Sequence, residues 1–231
     1  MKKQFLLPFF IFFWILLIFS SCSQENSTIP SQKKETSPQE ALQRLVEGNK
    51  RYVNNNSLHP NRNEERRQKI ASKQFPYAVI VGCSDSRVAP EIIFDEGLGD
   101  LFVVRVAGNI VGTIELESIE YSALYLNSAM ILVLGHENCG AVDAVIEKNT
   151  SNIKEIAKLI EPAVKQSQKD NKKCLLEHSI KTNALNMKNF LENSPNIKRL
   201  IQNKKIEVHA AYYNLKSGLV EILDDQKNTI E

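Results

Sequence analysis

From residue 38 onward the chain alternates short, largely apolar runs with longer stretches of helical period. Tyr77 to Val81, Leu101 to Val106 and Ala129 to Leu134 read as strands, and their near-continuous Val, Ile and Leu content predicts burial on both faces. Ile206 to Tyr213 predicts a fourth strand. Asn214 to Gly218 then turns the chain back, so that Leu219 to Leu223 pairs with it antiparallel. Ser37-Pro38-Gln39-Glu40 predicts a helix start: Ser37 caps, Pro38 suits the first turn and Glu40 completes a capping box. Ala41, Leu42, Leu45, Val46 and Tyr52 carry its period, and Gly48 within it marks close packing.

Asn54 to Asn61 reads as a loop, and the charged segment Asn63 to Gln74 as a second, largely exposed helix. A short helix is expected over Val88 to Phe94, and a turn at Gly97 to Asp100. Thr113 to Leu126 has apolar residues on several faces and predicts a well-buried helix. Further helices are expected from Cys139 to Lys148, Ile153 to Ser167, Lys172 to Leu191 and Pro195 to Gln202, before a polar tail at Asp224 to Glu231. The fold class is therefore α/β. It has a mainly parallel central sheet of about four strands, a C-terminal antiparallel strand and flanking helices. Chemistry in such sheets gathers at the carboxyl ends of strands, where Cys83, Asn109 and His136 stand.

The first residues follow a different pattern. Lys2 and Lys3 precede an almost wholly apolar run from Phe5 to Phe19, followed by Ser20, Ser21 and Cys22. This is the layout of a secretory signal peptide over residues 1–21. Small residues directly before a cysteine resemble the processing site of bacterial lipoproteins, with Cys22 as the lipidated first residue, although Phe19 stands where Leu is usual. An uncleaved anchor is the competing reading, and the run is short for a span of about 20 residues. Either reading exports the protein and tethers it to a membrane, facing the periplasm or cell surface. Residues 22–37 are rich in Ser, Gln, Thr, Lys, Glu and Pro and read as a flexible tether. The folded domain is expected over residues 38–231.

Composition adds limits. A chain of 231 residues with 42% hydrophobic content suits one domain with an ordinary core. Lys and Arg number 29 against 27 Asp and Glu, a balance that points to no nucleic-acid partner.

Candidate chemistry lies in two motifs, each after an apolar run: Cys83-Ser84-Asp85-Ser86-Arg87 and His136-Glu137-Asn138-Cys139. Two thiols and an imidazole suit zinc, and three protein ligands with one open position describe a catalytic site better than a structural one. A disulfide between Cys83 and Cys139 is the competing reading for an exported chain. His136 also reads as an ordinary buried histidine, and Asp85 with Arg87 as a plain ion pair. Cys174 is expected to be a half-buried free thiol in a polar helix, and His209 to have a structural place on its strand. His59 and His178 have no identifiable partners.

Cys-x-Asp-x-Arg followed by His-x-x-Cys resembles the beta class of carbonic anhydrases. The flanks agree: Asp100 to Arg105, Ala107-Gly108-Asn109 and Gly135 to Ala141 resemble that family's strand ends, and Ala41 to Tyr52 its first helix. The likeness covers about residues 38 to 224. It implies one zinc per chain, held by Cys83, His136 and Cys139, and an Asp85–Arg87 pair acting together. It implies a substrate pocket with Gln74, Phe102, Tyr121 and a backbone donor at Gly140. The implied reaction is reversible hydration of carbon dioxide to bicarbonate and a proton by zinc-bound hydroxide, in a homodimer or tetramer. Ile80 stands where a bicarbonate-regulated subgroup has Trp, which argues against that form. Two alternatives stay open: hydrolysis of carbon disulfide or carbonyl sulfide on the same scaffold, and a surface zinc-binding lipoprotein without turnover.

Overall fold

The computed structural model describes residues 36–170 and 173–223. The expected signal peptide, the lipidation site Cys22, nearly all of the tether and the polar tail from Asp224 lie outside the described residues.

The chain opens with α1 (Pro38–Val53). Its start is the expected capping box: Glu40 N–H donates to Ser37 Oγ (3.2 Å), and Ser37 N–H donates to Glu40 Oε2 (2.9 Å). One face of α1, with Ala41, Leu45, Gly48 and Asn49, is buried. The chain continues through α2 (Glu64–Ile70), β1 (Ala78–Gly82), α3 (Pro90–Ile93), β2 (Leu101–Arg105), a single 3-10 turn at Ala107–Asn109, α4 (Thr113–Tyr125) and β3 (Met130–His136). The remainder is α5 (Gly140–Ile146), α6 (Lys154–Asp170), α7 (Leu175–Glu192), α8 (Pro195–Gln202), β4 (Glu207–Tyr213) and β5 (Val220–Ile222).

The five strands form one sheet in the order β2-β1-β3-β4-β5. The first four run parallel, and β5 pairs antiparallel with β4. Every residue of β1 and β3 is buried, because helices cover both faces and each face has its own apolar cluster. Val79, Val81, Ile131 and Val133 pack on one side with Val142, Ile160 and Ile180. Ala78, Ile80, Met130 and Leu132 pack on the other with Leu45, Val88 and Phe94. The two-residue period of a strand splits the apolar runs between the two clusters.

Asn49, buried in α1, joins three elements. Its Nδ2 donates to Ile93 O (3.2 Å) and Gly218 O (2.8 Å), and its Oδ1 accepts from Val220 N–H (3.0 Å). Its neighbour Gly48 carries the close contact that its position in the helical period implied. A Cβ there would stand 1.9 Å from the Phe94 carbonyl oxygen.

Four expectations are corrected. The second helix ends at Ile70 rather than Gln74: it buries no residue, and Pro76 disfavours helix just before it. α3 is shorter than expected because Pro90 sets its first turn. α4 is not well buried. Only Ile119, Ser122 and Ala123 are enclosed, while Ile114, Tyr121 and Tyr125 are 78%, 48% and 72% exposed. Its second apolar face has no covering element among the described residues. Cys174 is exposed, not half-buried, because it precedes α7 as the cap residue in a left-handed conformation (φ 59°).

Gly48→Ala should destabilise the fold by about 3 kcal/mol, the upper end for overpacking, because the clash is with backbone and not a mobile side chain. Urea unfolding of the two proteins measures this. Equal midpoints would show that α1 does not sit against the Phe94 carbonyl.

Candidate metal centre

Strand register assembles the site. β1 and β3 are adjacent and parallel, with Gly82 opposite Leu134. Cys83 follows β1 directly and His136 closes β3, so both emerge at the same carboxyl edge. Three residues after His136, Cys139 stands at the N-terminus of α5. The Sγ atoms of Cys83 and Cys139 and a ring nitrogen of His136 lie within 4.8 Å of one another, and all three residues are buried. Cys83 and Cys139 are free thiols; no disulfide joins them.

The imidazole is prepared for a ligand. His136 Nδ1 lies 2.9 Å from the Glu137 carbonyl oxygen. A carbonyl only accepts, so Nδ1 carries the proton and Nε2 presents its lone pair. Nε2 is buried and has no hydrogen-bond partner among the described residues, which an ordinary core histidine avoids. A backbone carbonyl fixing the ring of a metal-binding histidine is the usual second partner of such a ligand. Two thiols and one imidazole suit zinc, and the orphaned Nε2 fits a bound ion.

Cys83 is held well below an ordinary thiol chiefly by its hydrogen bond with Cys139, and also by the Gly108 N–H, against the opposing effect of burial. Cys139 is pushed up by the same contact with Cys83 and by burial. Gly108 N–H donates to Cys83 Sγ at 3.3 Å.

Asp85 and Arg87 stand over this group. Arg87 donates from Nε to Asp85 Oδ1 (2.9 Å), from Nη2 to Oδ2 (2.7 Å) and from its backbone N–H to Oδ1 (2.9 Å). The fork also reaches the Asn138 carbonyl (3.4 Å), joining the two motifs. The Arg87 guanidinium holds the Asp85 carboxyl far below the usual carboxylate range, outweighing the opposing effect of partial burial. Asp85 Oδ2 lies 3.9 Å from His136 Nε2. A depressed carboxyl keeps the ion pair through neutral and mildly acidic pH. The pair is lost only as pH falls to that depressed value.

Arg105, visible in the sequence only as the end of its motif, clasps the first loop. Its Nε donates to Cys83 O (2.9 Å) and its Nη2 to Asp85 O (2.6 Å). The signal for it was a charge at the carboxyl end of a strand, with Arg105 paired to Gly82. Glu137 secures the second loop: its N–H donates to Tyr213 O (2.8 Å), and its Oε2 accepts from Leu215 N–H (3.0 Å). Asn109 sits in the 3-10 turn past β2, buried, with both side-chain polar atoms unpartnered among the described residues.

The expected pocket residues separate into two groups. Gly140 opens α5 beside Cys139, and a Cβ added there would meet nothing within 4 Å. Phe102 and Tyr121 touch, ring centroids 6.4 Å apart. Phe102, however, pairs with Val79 near the amino end of the sheet. Gln74 is exposed and precedes β1, whose length of about 16 Å separates that end from Cys83. Within one chain these three do not meet the metal group. His209 Nε2 lies 3.1 Å from Glu207 Oε2. His178 has a buried Nδ1 with no partner among the described residues, and His59 lies in a loop where its N–H donates to Asp95 (3.0 Å).

A family model described as carbonic anhydrase matches residues 78–220, which hold both motifs. The chain belongs to the beta-class carbonic anhydrase family. Carbonic anhydrase 2 of Mycobacterium tuberculosis is 51% identical over 111 residues, 48% of this chain and 54% of that protein. The match thus spans about half of that relative's length. Among solved structures, the beta-carbonic anhydrase CcaA superposes with a TM-score of 0.65 at 25% identity, covering 79% of this chain and 95% of that one. A Coccomyxa beta-carbonic anhydrase in complex with acetazolamide gives 0.62 at 26% identity, over 79% and 86%. The parallel sheet with its antiparallel C-terminal strand is the fold of these beta-carbonic anhydrases.

Replacing Cys83, His136 or Cys139 with Ala should each abolish stoichiometric zinc binding, since two remaining ligands hold the ion too weakly. Metal analysis of the purified variants checks this. Thiol labelling with mass spectrometry should find Cys83 and Cys139 reduced in the zinc-loaded protein; a Cys83–Cys139 disulfide in that sample would contradict the ligand assignment.

Proposed function

We propose that the chain catalyses the reversible hydration of carbon dioxide to bicarbonate, with one zinc ion held by Cys83, His136 and Cys139. The observation that carries this reading is a buried Cys-His-Cys group with an orphaned His136 Nε2, 3.9 Å from a carboxylate clamped by arginine. Zinc, when bound there, is a Lewis acid that lowers the pKa of a water to about 7, the value characteristic of carbonic anhydrase zinc.

The remaining work belongs to the side chains. Asp85, ionised, only accepts hydrogen bonds. A water held between Asp85 and the ligand group would donate a hydrogen bond to the carboxylate, which stays ionised, and would turn a lone pair toward the substrate carbon. Arg87 keeps both carboxylate oxygens engaged, in a bidentate geometry that lysine does not reproduce. Without that grip Asp85 is free to compete for the fourth ligand position. Arg105 holds the loop that carries both Cys83 and Asp85. Gly140 leaves open space beside Cys139.

A homodimer or tetramer is part of the proposal. The exposed apolar face of α4 supports it. So does the position of Gln74, Phe102 and Tyr121, which lie away from their own chain's ligands, so a second copy supplies them to the site. The leader supports export and attachment: Cys22, after Ser20 and Ser21, becomes the lipidated first residue of a protein facing the periplasm or cell surface.

Stopped-flow hydration of carbon dioxide by the zinc-loaded protein tests the activity. Turnover of carbonyl sulfide or carbon disulfide with none of carbon dioxide would overturn the substrate. Absence of turnover on all three gases would leave a zinc-binding lipoprotein.

Arg87→Ala should lower hydration steeply, by about 100-fold, the range for losing a group that orients the reacting atoms, while zinc stays near stoichiometric. Asp85→Ala should also keep its metal and lose activity. The double variant should match Asp85→Ala and be no worse than Arg87→Ala, because the competing carboxylate is gone. Losses that add in free energy would show two independent contributors instead.

Cys22→Ser should release the protein from the membrane fraction or leave the precursor uncut, since stable attachment needs more than one acyl chain. Fractionation and intact mass give the answer. Unchanged size and retention would establish an uncleaved anchor.

A further inference from the structure

Asn183 lies in α7, wholly buried and remote in sequence from both motifs. Its Nδ2 donates to the Gly108 carbonyl at 2.8 Å. The N–H of Gly108 in turn donates to Cys83 Sγ at 3.3 Å. One residue thus stands between an asparagine on a covering helix and a sulfur of the metal group.

The turn requires glycine at position 108. Its φ of 74° is a conformation glycine adopts readily and other residues do not. A Cβ on it would lie 2.6 Å from Ile160 Cδ1 of α6 and 3.4 Å from Ala141 Cβ of α5. The Asn109 N–H to Val106 O bond (2.8 Å) closes the turn around it. Fixing the carbonyl side of so short a turn also fixes its N–H side. α7 approaches closely because Gly135, next to His136, has no side chain: a Cβ there would meet Ile180 Cγ2 at 3.0 Å.

The amide is costly where it is. Asn183 Oδ1 is buried with no partner among the described residues, and such an atom is destabilising relative to an apolar group of the same shape. Its retained half is the Nδ2 donor, and that donor goes to Gly108. A hydrogen bond to a thiolate stabilises its charge and tunes how strongly the sulfur donates to a metal, as outer partners of metal ligands do.

We propose that Asn183 is a positioning residue of the metal centre: by holding the Gly108 carbonyl it aims the Gly108 N–H at Cys83 Sγ and so tunes that sulfur as a ligand. The proposal rests on Cys83, His136 and Cys139 binding a metal, and deepens that reading. Asn183→Leu removes the donor at similar volume. Thr182→Val is its control: it breaks the Ser167 Oγ to Thr182 Oγ1 bond (3.3 Å) in the same α6–α7 interface without touching Gly108.

The full-length protein is stripped of metal and titrated with zinc against a competing chelator, then loaded with cobalt(II) to record the thiolate-to-metal charge-transfer band. Asn183→Leu should raise the zinc Kd by about 10-fold or more, the usual size of such outer-partner losses, and shift the cobalt band. Thr182→Val should leave both unchanged. Equal changes in the two variants at matched loss of thermal midpoint would reduce Asn183 to packing and overturn the proposal, as would no change in Asn183→Leu. Should Asn183→Leu fail to fold, the wild-type protein loaded with cadmium-113 decides. Scalar coupling from the metal to the Gly108 amide proton, carried by the N–H to Sγ bond, is expected, and its absence overturns the proposal. Failure of the wild type to bind any of these ions overturns the metal reading as well. Normal wild-type binding with no Asn183 effect overturns this proposal alone.

Discussion

The site depends on one pairing, the parallel contact of β1 with β3. Because Gly82 faces Leu134, the residues that follow each strand leave the sheet side by side, and a cysteine from one meets a histidine from the other. A register slip of one residue would move every side chain of β3 to the opposite face. It would break both apolar clusters at once, since Ile131 and Val133 serve one and Met130 and Leu132 the other. Core packing therefore specifies ligand placement. Three buried ligand atoms from those two strand ends and the start of α5 converge within 4.8 Å.

Backbone does most of the fine positioning. The Glu137 carbonyl sets the His136 tautomer, the Gly108 N–H meets Cys83 Sγ, and the Cys83 and Asp85 carbonyls receive Arg105. Buried polar groups of this kind stabilise only when each finds a partner. His136 Nε2 is left without one among the described residues. Around it the charges are arranged in opposition. Burial disfavours ionised groups, yet Asp85 stays ionised because Arg87 supplies three hydrogen bonds from one residue two positions along the chain. So short a loop leaves the pair little room to separate, so the carboxylate is held by local geometry as much as by charge.

Much of this is legible in the residues alone. The ligand set and the Asp85–Arg87 pair follow from residue types at fixed distances after apolar runs, and strands buried on both faces announce themselves by continuous Val, Ile and Leu. The capping box at Ser37 and the tight spot at Gly48 are also local signals. What escaped is non-local. Arg105 and Asn183 act through backbone atoms of Cys83 and Gly108, 22 and 75 positions away, and no spacing rule links a helix side chain to a turn carbonyl. Helix α4 misled for a related reason. Periodicity says that a face is apolar, but not whether the same chain covers it. Cys174 reads as helical by its neighbours, yet its left-handed backbone sets it outside the first turn.

The exposed face of α4 and the divided pocket point to one physical constraint. In a single chain the ligands occupy the carboxyl edge of the sheet, whereas Phe102, Tyr121 and Gln74 gather toward the amino end, where Tyr121 also meets Tyr125 at 5.6 Å. Leaving Ile114, Tyr121 and Tyr125 in water forgoes the roughly 25 cal/mol that each Å² of apolar burial contributes. The same aromatic side chains would line a pocket only if another surface closed over them. In the proposed oligomer, covering that face and completing that pocket would be one event. A chain whose apolar helix is its contact surface and whose aromatic residues serve a neighbour's metal would have activity tied to association. Its stability and its chemistry would fall together on dilution.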